Sequence, residues 1–188
     1  MKAKKEYIVL ALVIAALVAY LALHETGRVN YRLPEPEKYP DTEITRIQIE
    51  QPDGVVTLEK NKDQWYLADK DQRADKNKVR PMIETIANLE LTALVSEGNN
   101  YPNYSLGKQR RIHVTAWAGK KQIRAFDVGK TAPSYKHTFV KLPDDPRVYH
   151  ASGSFRKHFA VSGDELRPKQ KEKSGQSQPE PEKDKNRN

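Results

Sequence analysis

The chain of 188 residues has no cysteine. That excludes a disulfide scaffold, a thiolate metal site, a cysteine nucleophile and a thioredoxin-type redox centre. Aromatic residues are only 8% of the chain. Hydrophobic residues make up 37%, and residues 7–23, YIVLALVIAALVAYLAL, take 17 of them in one unbroken run. The other positions are then only about 31% hydrophobic, enough for one small core. A large multidomain enzyme, a polytopic transporter and a collagen-like fibre are excluded on that ground.

Residues 7–23 carry no charge, Gly or Pro. As a helix at about 1.5 Å per residue the run reaches roughly 25 Å, near the lower limit for crossing a bilayer. Tyr7 and Tyr20 stand near its ends, where an amphipathic ring suits the headgroup layer, and Lys2, Lys4 and Lys5 precede it. The pattern predicts a single N-terminal transmembrane helix at 7–23, contacting membrane lipid. It follows residues 1–6 in the cytoplasm, with the rest of the chain outside the inner membrane. A cleaved leader is the rival reading, but the exit Tyr20-Leu21-Ala22-Leu23-His24 lacks the small-residue pair that cleavage requires.

Beyond the run, residues 24–43 carry Pro34, Pro36 and Pro40 among mixed charges and read as an extended stalk. Residues 164–188 hold one large apolar side chain, Leu166, and read as a disordered charged tail. The folded unit is then residues 44–163. Period-two alternation marks strands at Ile47 and Ile49, at Val56 and Leu58, and at Trp65 and Leu67. Val79, Met82, Ile83, Ile86, Ala87 and Leu89 or Leu91 then fall at helical spacing, with Asp75 or Asn77 as cap and Pro81 as an irregularity. Residues 110–117 and 122–128 form one expected hairpin, and 136–142 with 147–151 a second. A short helix at 152–159 is weakly marked. The predicted class is α+β: seven antiparallel strands with one main helix packed on the sheet, preceded by the transmembrane helix. The order suggests an imperfect duplication of one strand-rich unit.

Ile47-x-Ile49, Leu58-x-Lys60, Trp65-x-Leu67 and Ala74-Asp75 before Val79, Ile83 and Ile86 form an ordered series. Val95-Ser96, Tyr104-x-Leu106, Val128-Gly129-Lys130 and Val148-Tyr149 continue it. With the apolar N-terminal run, the series resembles the bacterial domain-of-unknown-function family 4340. The resemblance implies membrane-anchored envelope proteins, some encoded beside gliding-type ABC transporter components. It supplies no catalytic residue.

A search for chemistry finds no catalytic constellation. Val128-Gly129-Lys130-Thr131 lacks the earlier glycine of a phosphate loop, since position 124 is Arg, and Ala132-Pro133 prevents the helix that must follow. None of the histidines, His24, His113, His137, His150 and His158, are paired at helical metal spacing. His137 and His150 can approach across the second hairpin. Ser152-Gly153-Ser154 is no nucleophile elbow. Asp144-Asp145, between prolines, reads as a turn tip. No catalytic, cofactor or metal residue is assigned, and no cofactor is expected.

Charge is the uneven feature. Residues 24–107 hold 11 basic and 15 acidic residues, whereas residues 108–158 hold 12 and 3. Such a field attracts anions and steers association. Arg110, Arg111, Lys120, Lys121, Arg124, Lys130 and Lys136 are the candidate partner-binding residues, with Tyr101, Tyr104 and Tyr135 in loops beside them. The expected function is a non-enzymatic accessory domain of a bacterial envelope complex, and the resemblance implies an ABC transport system as its setting. Its partner is then a protein of the membrane complex. The alternative is a binder of anionic glycan or lipid headgroups through the basic face at 108–158. An unrecognised enzyme ranks third. Nucleic acid is not expected on that side of the membrane.

Overall fold

Ile47 and Ile49 alternate with Arg46 and Gln48, and the alternation becomes strand β1 (Arg46–Gln51), its two isoleucines fully buried. The structure, a computed structural model, describes residues 3–23 and 32–168. It separates into two compact units at Pro34 and Glu35. The first holds helix α1 (Ala3–Leu23). Lys4, Lys5 and Glu6 open that helix, so its uncharged stretch starts at Tyr7 and reaches about 25 Å, short of the roughly 30 Å of hydrocarbon in a bilayer. The expected transmembrane helix is therefore corrected. Among the described residues, no helix is long and apolar enough to cross a membrane.

The second unit is built on one nine-stranded antiparallel sheet, in the order β4-β3-β2-β1-β6-β7-β8-β9-β5. After β1 come β2 (Gly54–Asn61), β3 (Gln64–Leu67) and β4 (Gln72–Arg73), then helix α2 (Lys76–Ala87). β5 (Leu91–Ser96) runs along the far edge. β6 (Ile112–Ala118), β7 (Lys121–Thr131), β8 (His137–Lys141) and β9 (Val148–Ser152) follow, then one turn of helix, α3 (Arg156–Phe159). Two four-stranded meanders, each followed by a helix, thus meet at a seam where β1 pairs with β6.

The expected class, one main helix on a smaller sheet, is corrected accordingly. The sheet has nine strands where the pattern marked seven, and the helices of this unit are small, 12 and 4 residues. β4 is two exposed polar residues with no period to read. β5 begins four residues after α2 ends, so Leu89 and Leu91 read as a continuation of the helical stripe.

One face of the sheet is the core. Leu67, Leu58, Ile47 and Ala116 lie in one cross-strand row, and Val56, Ile49, Val114 and Phe126 in the next. Ile112, Val128, Val140 and Tyr149 form a third. α2 buries Val79, Met82, Ile86 and Ala87, and its N-cap Asp75 accepts from the Asn77 N–H at 2.9 Å. α3 adds Phe159, edge-on to Phe126 with ring centroids 6.0 Å apart. The expected tail is also corrected at its start. Leu166 is fully buried and its carbonyl accepts from the Asp75 N–H at 2.7 Å, so the folded unit passes residue 163. The stalk is likewise packed at its end, since the Tyr39 N–H donates to the Ala87 carbonyl at 3.3 Å. The remainder of both expected segments, residues 24–31 and 169–188, lies outside the described residues.

The opposite face is covered in its second half. Residues 97–110 cross β7 and β8 and close a smaller core of Leu106, Ala132, Phe139 and Val148, flanked by Val95, Tyr101 and Tyr104. Gly129 makes this possible. A Cβ there would lie 2.3 Å from the Tyr104 carbonyl oxygen and 3.1 Å from that of Phe139. Both obstacles are backbone, so neither can swing aside. Gly129→Ala should destabilise the fold by about 1–3 kcal/mol in urea unfolding, the usual cost of overpacking. Gly107→Ala, whose Cβ would meet nothing closer than 3.9 Å, should change little. Equal effects at the two positions would refute the close-approach account.

Candidate functional site

Lys120 occupies the two-residue turn between β6 and β7, where Gly119 takes the left-handed conformation, and Lys121 opens β7. The chain arrives at this same end. The Thr45 N–H donates to the Trp117 carbonyl at 2.8 Å, and the Gly119 N–H donates to Thr45 Oγ1 at 2.8 Å. Arg110 and Arg111 lie at the other end of β6, and Lys130 and Lys136 flank the β7–β8 turn there. The two ends of β7, ten residues apart in sequence, are roughly 33 Å apart at 3.3 Å per residue. The seven candidate cations therefore do not form one patch.

Two of the seven are engaged within the fold. Arg124 is buried, with its guanidinium donating to the Glu37 carbonyl and lying 5.6 Å from the centre of the Tyr39 ring. Burial pushes this guanidinium below its ordinary value, against the opposing charges of Tyr39 and Glu37. It anchors the incoming segment. Arg111 donates to Asp127 Oδ2 at 3.4 Å, and Asp127 Oδ1 lies 2.7 Å from His113 Nδ1. Asp127, buried on β7, is thus shared by two bases.

The other acids of the basic half are also engaged or set apart. Asp145 accepts from the Arg147 N–H at 3.0 Å, from its Nε at 2.9 Å and from the Tyr149 hydroxyl at 2.8 Å. The Arg147 hydrogen bond is the main cause that holds its carboxyl at about 2. Burial, reinforced by Asp145, pushes the Tyr149 hydroxyl up to about 12. Asp144 sits at the tip of the β8–β9 turn with φ 57. The pair is a turn lock, as its flanking prolines suggest, and not two carboxylates facing a substrate.

Arg156 was missed from sequence because it stands in a weakly marked helix. Its Nη1 donates to the Val128 and Gly129 carbonyls, both at 2.9 Å, and its Nη2 to the Arg110 carbonyl at 2.7 Å. One guanidinium thereby ties the start of β6 to the end of β7. The Gly153 N–H donates to the Lys136 carbonyl at 2.8 Å, and Thr131 Oγ1 lies 3.3 Å from Ser154 Oγ. These bonds fasten residues 108–111, 128–136 and 153–156 into one edge. A cleft of about 550 Å³ opens beside it, lined by Pro102, Ser105, Gly107, Lys108, Gln109 and Arg110.

His137 and His150 do meet. Their rings stack with centroids 5.2 Å apart and an interplanar angle of 18°. Phe139 lies 4.8 Å from His150 and Tyr104 lies 4.9 Å from Phe139. Among the described residues no third ligand joins the pair into a metal-holding group. His150 Nε2 is buried with no hydrogen-bond partner, so the ring sits there neutral.

Burial, with His137 beside it, pushes His150 below its ordinary value. Burial likewise pushes His158 down. The unfolded chain then binds protons before the folded one does. Stability from these rings is complete above pH about 6.5 and is lost as pH falls below that value. The melting temperature should drop between pH 7 and 5. His150→Phe, which keeps the ring stack, should flatten part of that drop. An identical pH profile in the variant would show that His150 does not titrate as described.

The family described as Domain of unknown function (DUF4340) matches residues 65–173. No curated protein matches the chain, and no solved structure does.

Proposed function

We propose that this chain, which belongs to the DUF4340 family, is a non-enzymatic interaction domain held at a bacterial envelope membrane through lipid contact of residues 7–23. One observation carries the reading. Ile8, Val9, Leu10, Leu12, Val13, Ile14, Leu17 and Val18 of α1 are all exposed, each by half or more. At 100° per residue they point to nearly every side of the helix, which leaves it no polar face. A protein groove covers one side of such a helix, whereas lipid covers all of them. Each of these side chains gains about 1.5–3 kcal/mol on leaving water. Contact with lipid needs no passage to the opposite face of the bilayer.

The non-enzymatic reading draws on the second unit. Asp127 and Asp145 are consumed by neighbouring cations, and His150 by a ring stack. These groups lock turns and strands within the fold. Holding such a domain at a membrane turns docking on a neighbouring membrane protein into a near-intramolecular event.

The full chain should remain with membranes through high-salt and alkaline-carbonate washing. Leu12→Asp with Val13→Asp should release it, because each aspartate costs about 2.5–3.5 kcal/mol in hydrocarbon. A wild-type chain released by either wash would overturn the reading.

A further inference from the structure

Three segments that the structure ties together, residues 105–111, 128–137 and 153–158, contain seven basic residues and no acidic one. Arg111 is spent on Asp127 and Arg156 on three backbone carbonyls. The other five, Lys108, Arg110, Lys130, Lys136 and Lys157, are exposed. Among the described residues none of the five has a carboxylate within ion-pair distance. The surplus is a product of the fold, which spends Asp127 on Arg111 and His113 and Asp145 on Arg147 and leaves the other five cations uncompensated.

An aromatic side chain stands among these cations. Tyr135, in the β7–β8 turn one residue before Lys136, is 80% exposed and held at φ 58. A tyrosine off the ordinary backbone region and free of any core contact costs conformational energy and apolar hydration. Its turn is fixed at both ends, by the Ala132 N–H to the His137 carbonyl at 2.8 Å and by the Tyr135 N–H to the Ala132 carbonyl at 2.9 Å. The ring is therefore presented on a rigid support. Exposed tyrosine is enriched at protein interfaces, where its ring supplies contact area.

Resting on the reading of this chain as an interaction domain, we propose that the edge formed by Lys108, Arg110, Lys130, Tyr135 and Lys136 docks an acidic segment of a partner protein. The cations are spread over two turns and do not converge on one point. That suits carboxylates spaced along a polypeptide better than a single phosphate. The apolar ring needs a side-chain contact that a headgroup layer or a glycan anion supplies poorly. The chain also enters the sheet at the opposite end of β7, beside Lys120 and Lys121. Arg156 and Gly129 hold the edge in shape before any partner arrives, so little ordering cost falls on binding.

The probe is a fluorescent peptide of alternating Glu and Leu, titrated by anisotropy against the detergent-solubilised full chain. Binding should weaken steeply with salt. Arg110→Glu with Lys130→Glu and Lys136→Glu should reduce affinity roughly tenfold or more, chiefly through slower association. Tyr135→Ala should reduce it several-fold while leaving the salt dependence unchanged. Lys120→Glu with Lys121→Glu should bind as the wild type does. Circular dichroism melts check that each variant is folded, and a neutral set with Gln at the three cationic positions should fall between wild type and reversal.

Absence of peptide binding, or an equal loss from the Lys120 and Lys121 reversal, would overturn the proposal. So would a chain in neutral-lipid vesicles that binds the peptide no better than the reversed variant, while vesicles rich in phosphatidylglycerol protect the same cations from amine labelling. That last result assigns the edge to headgroups. Membrane retention is scored separately. Loss of retention with peptide binding intact defeats the lipid tether alone, and loss of binding with retention intact defeats this docking surface alone.

Discussion

The pairing of β1 with β6 is the interaction on which the remaining architecture depends. It joins residues 46–50 to residues 113–117, so two meanders distant in sequence become one sheet. The seam is apolar on the core side, where Ile47 faces Ala116 and Ile49 faces Val114. On the other side it is polar, with Arg46 against Trp117 and Glu50 against His113. Arg46 lies over the Trp117 ring, 4.1 Å from its centre, which closes the seam on that face as well. Without this register neither meander has enough apolar area to order itself, since a small sheet needs a second layer or further strands to be stable. α2 and α3 follow from the seam, because they pack on the rows it creates.

How far this was legible depended on whether a signal was local. The alternation at Ile47, Ile49, Val56 and Leu58 is local, and it becomes β1 and β2 with the side chains on the expected face. The Asp75 cap and the β8–β9 turn are local too. β5 is not. Its residues carry burial only because β9 lies beside them, and two register shifts break any period. Leu166 is one apolar residue in a polar stretch and gives no warning that it is buried against the start of α2. The charge-free run of α1 was visible in the sequence, yet among the described residues no helix is long and apolar enough to cross a membrane.

The site shows the same division more sharply. Counting charges along residues 108–158 finds an excess of cations but cannot say which are free. Arg124 and Lys121 are three residues apart, yet one is buried against the incoming chain and the other is exposed. Arg156 spends its charge on carbonyls that no motif predicts. Conversely, His137 and His150 could be paired from the hairpin alone, because a two-strand register is short-range information. Electrostatic inference from sequence fails where tertiary contacts decide which partner each charge finds.

These arrangements bear on what kind of protein this is. A catalytic site usually holds titratable groups in tension, with unpaired charges or strained backbone facing a cavity. Here the tension is distributed differently. Asp127 and Asp145 are paired with neighbouring cations, burial holds His150 below its ordinary value, and the strained backbone of Tyr135 and Asp144 sits in turns. Tyr135 and Asp144, both near φ 57, are on opposite ends of β8. Asp144 needs no partner, since a short polar side chain tolerates that conformation. A tyrosine does not, and nothing inside the fold repays it. Tyr135 thus carries its strain beside Lys130 and Lys136, exposed cations for which no carboxylate lies within ion-pair distance among the described residues.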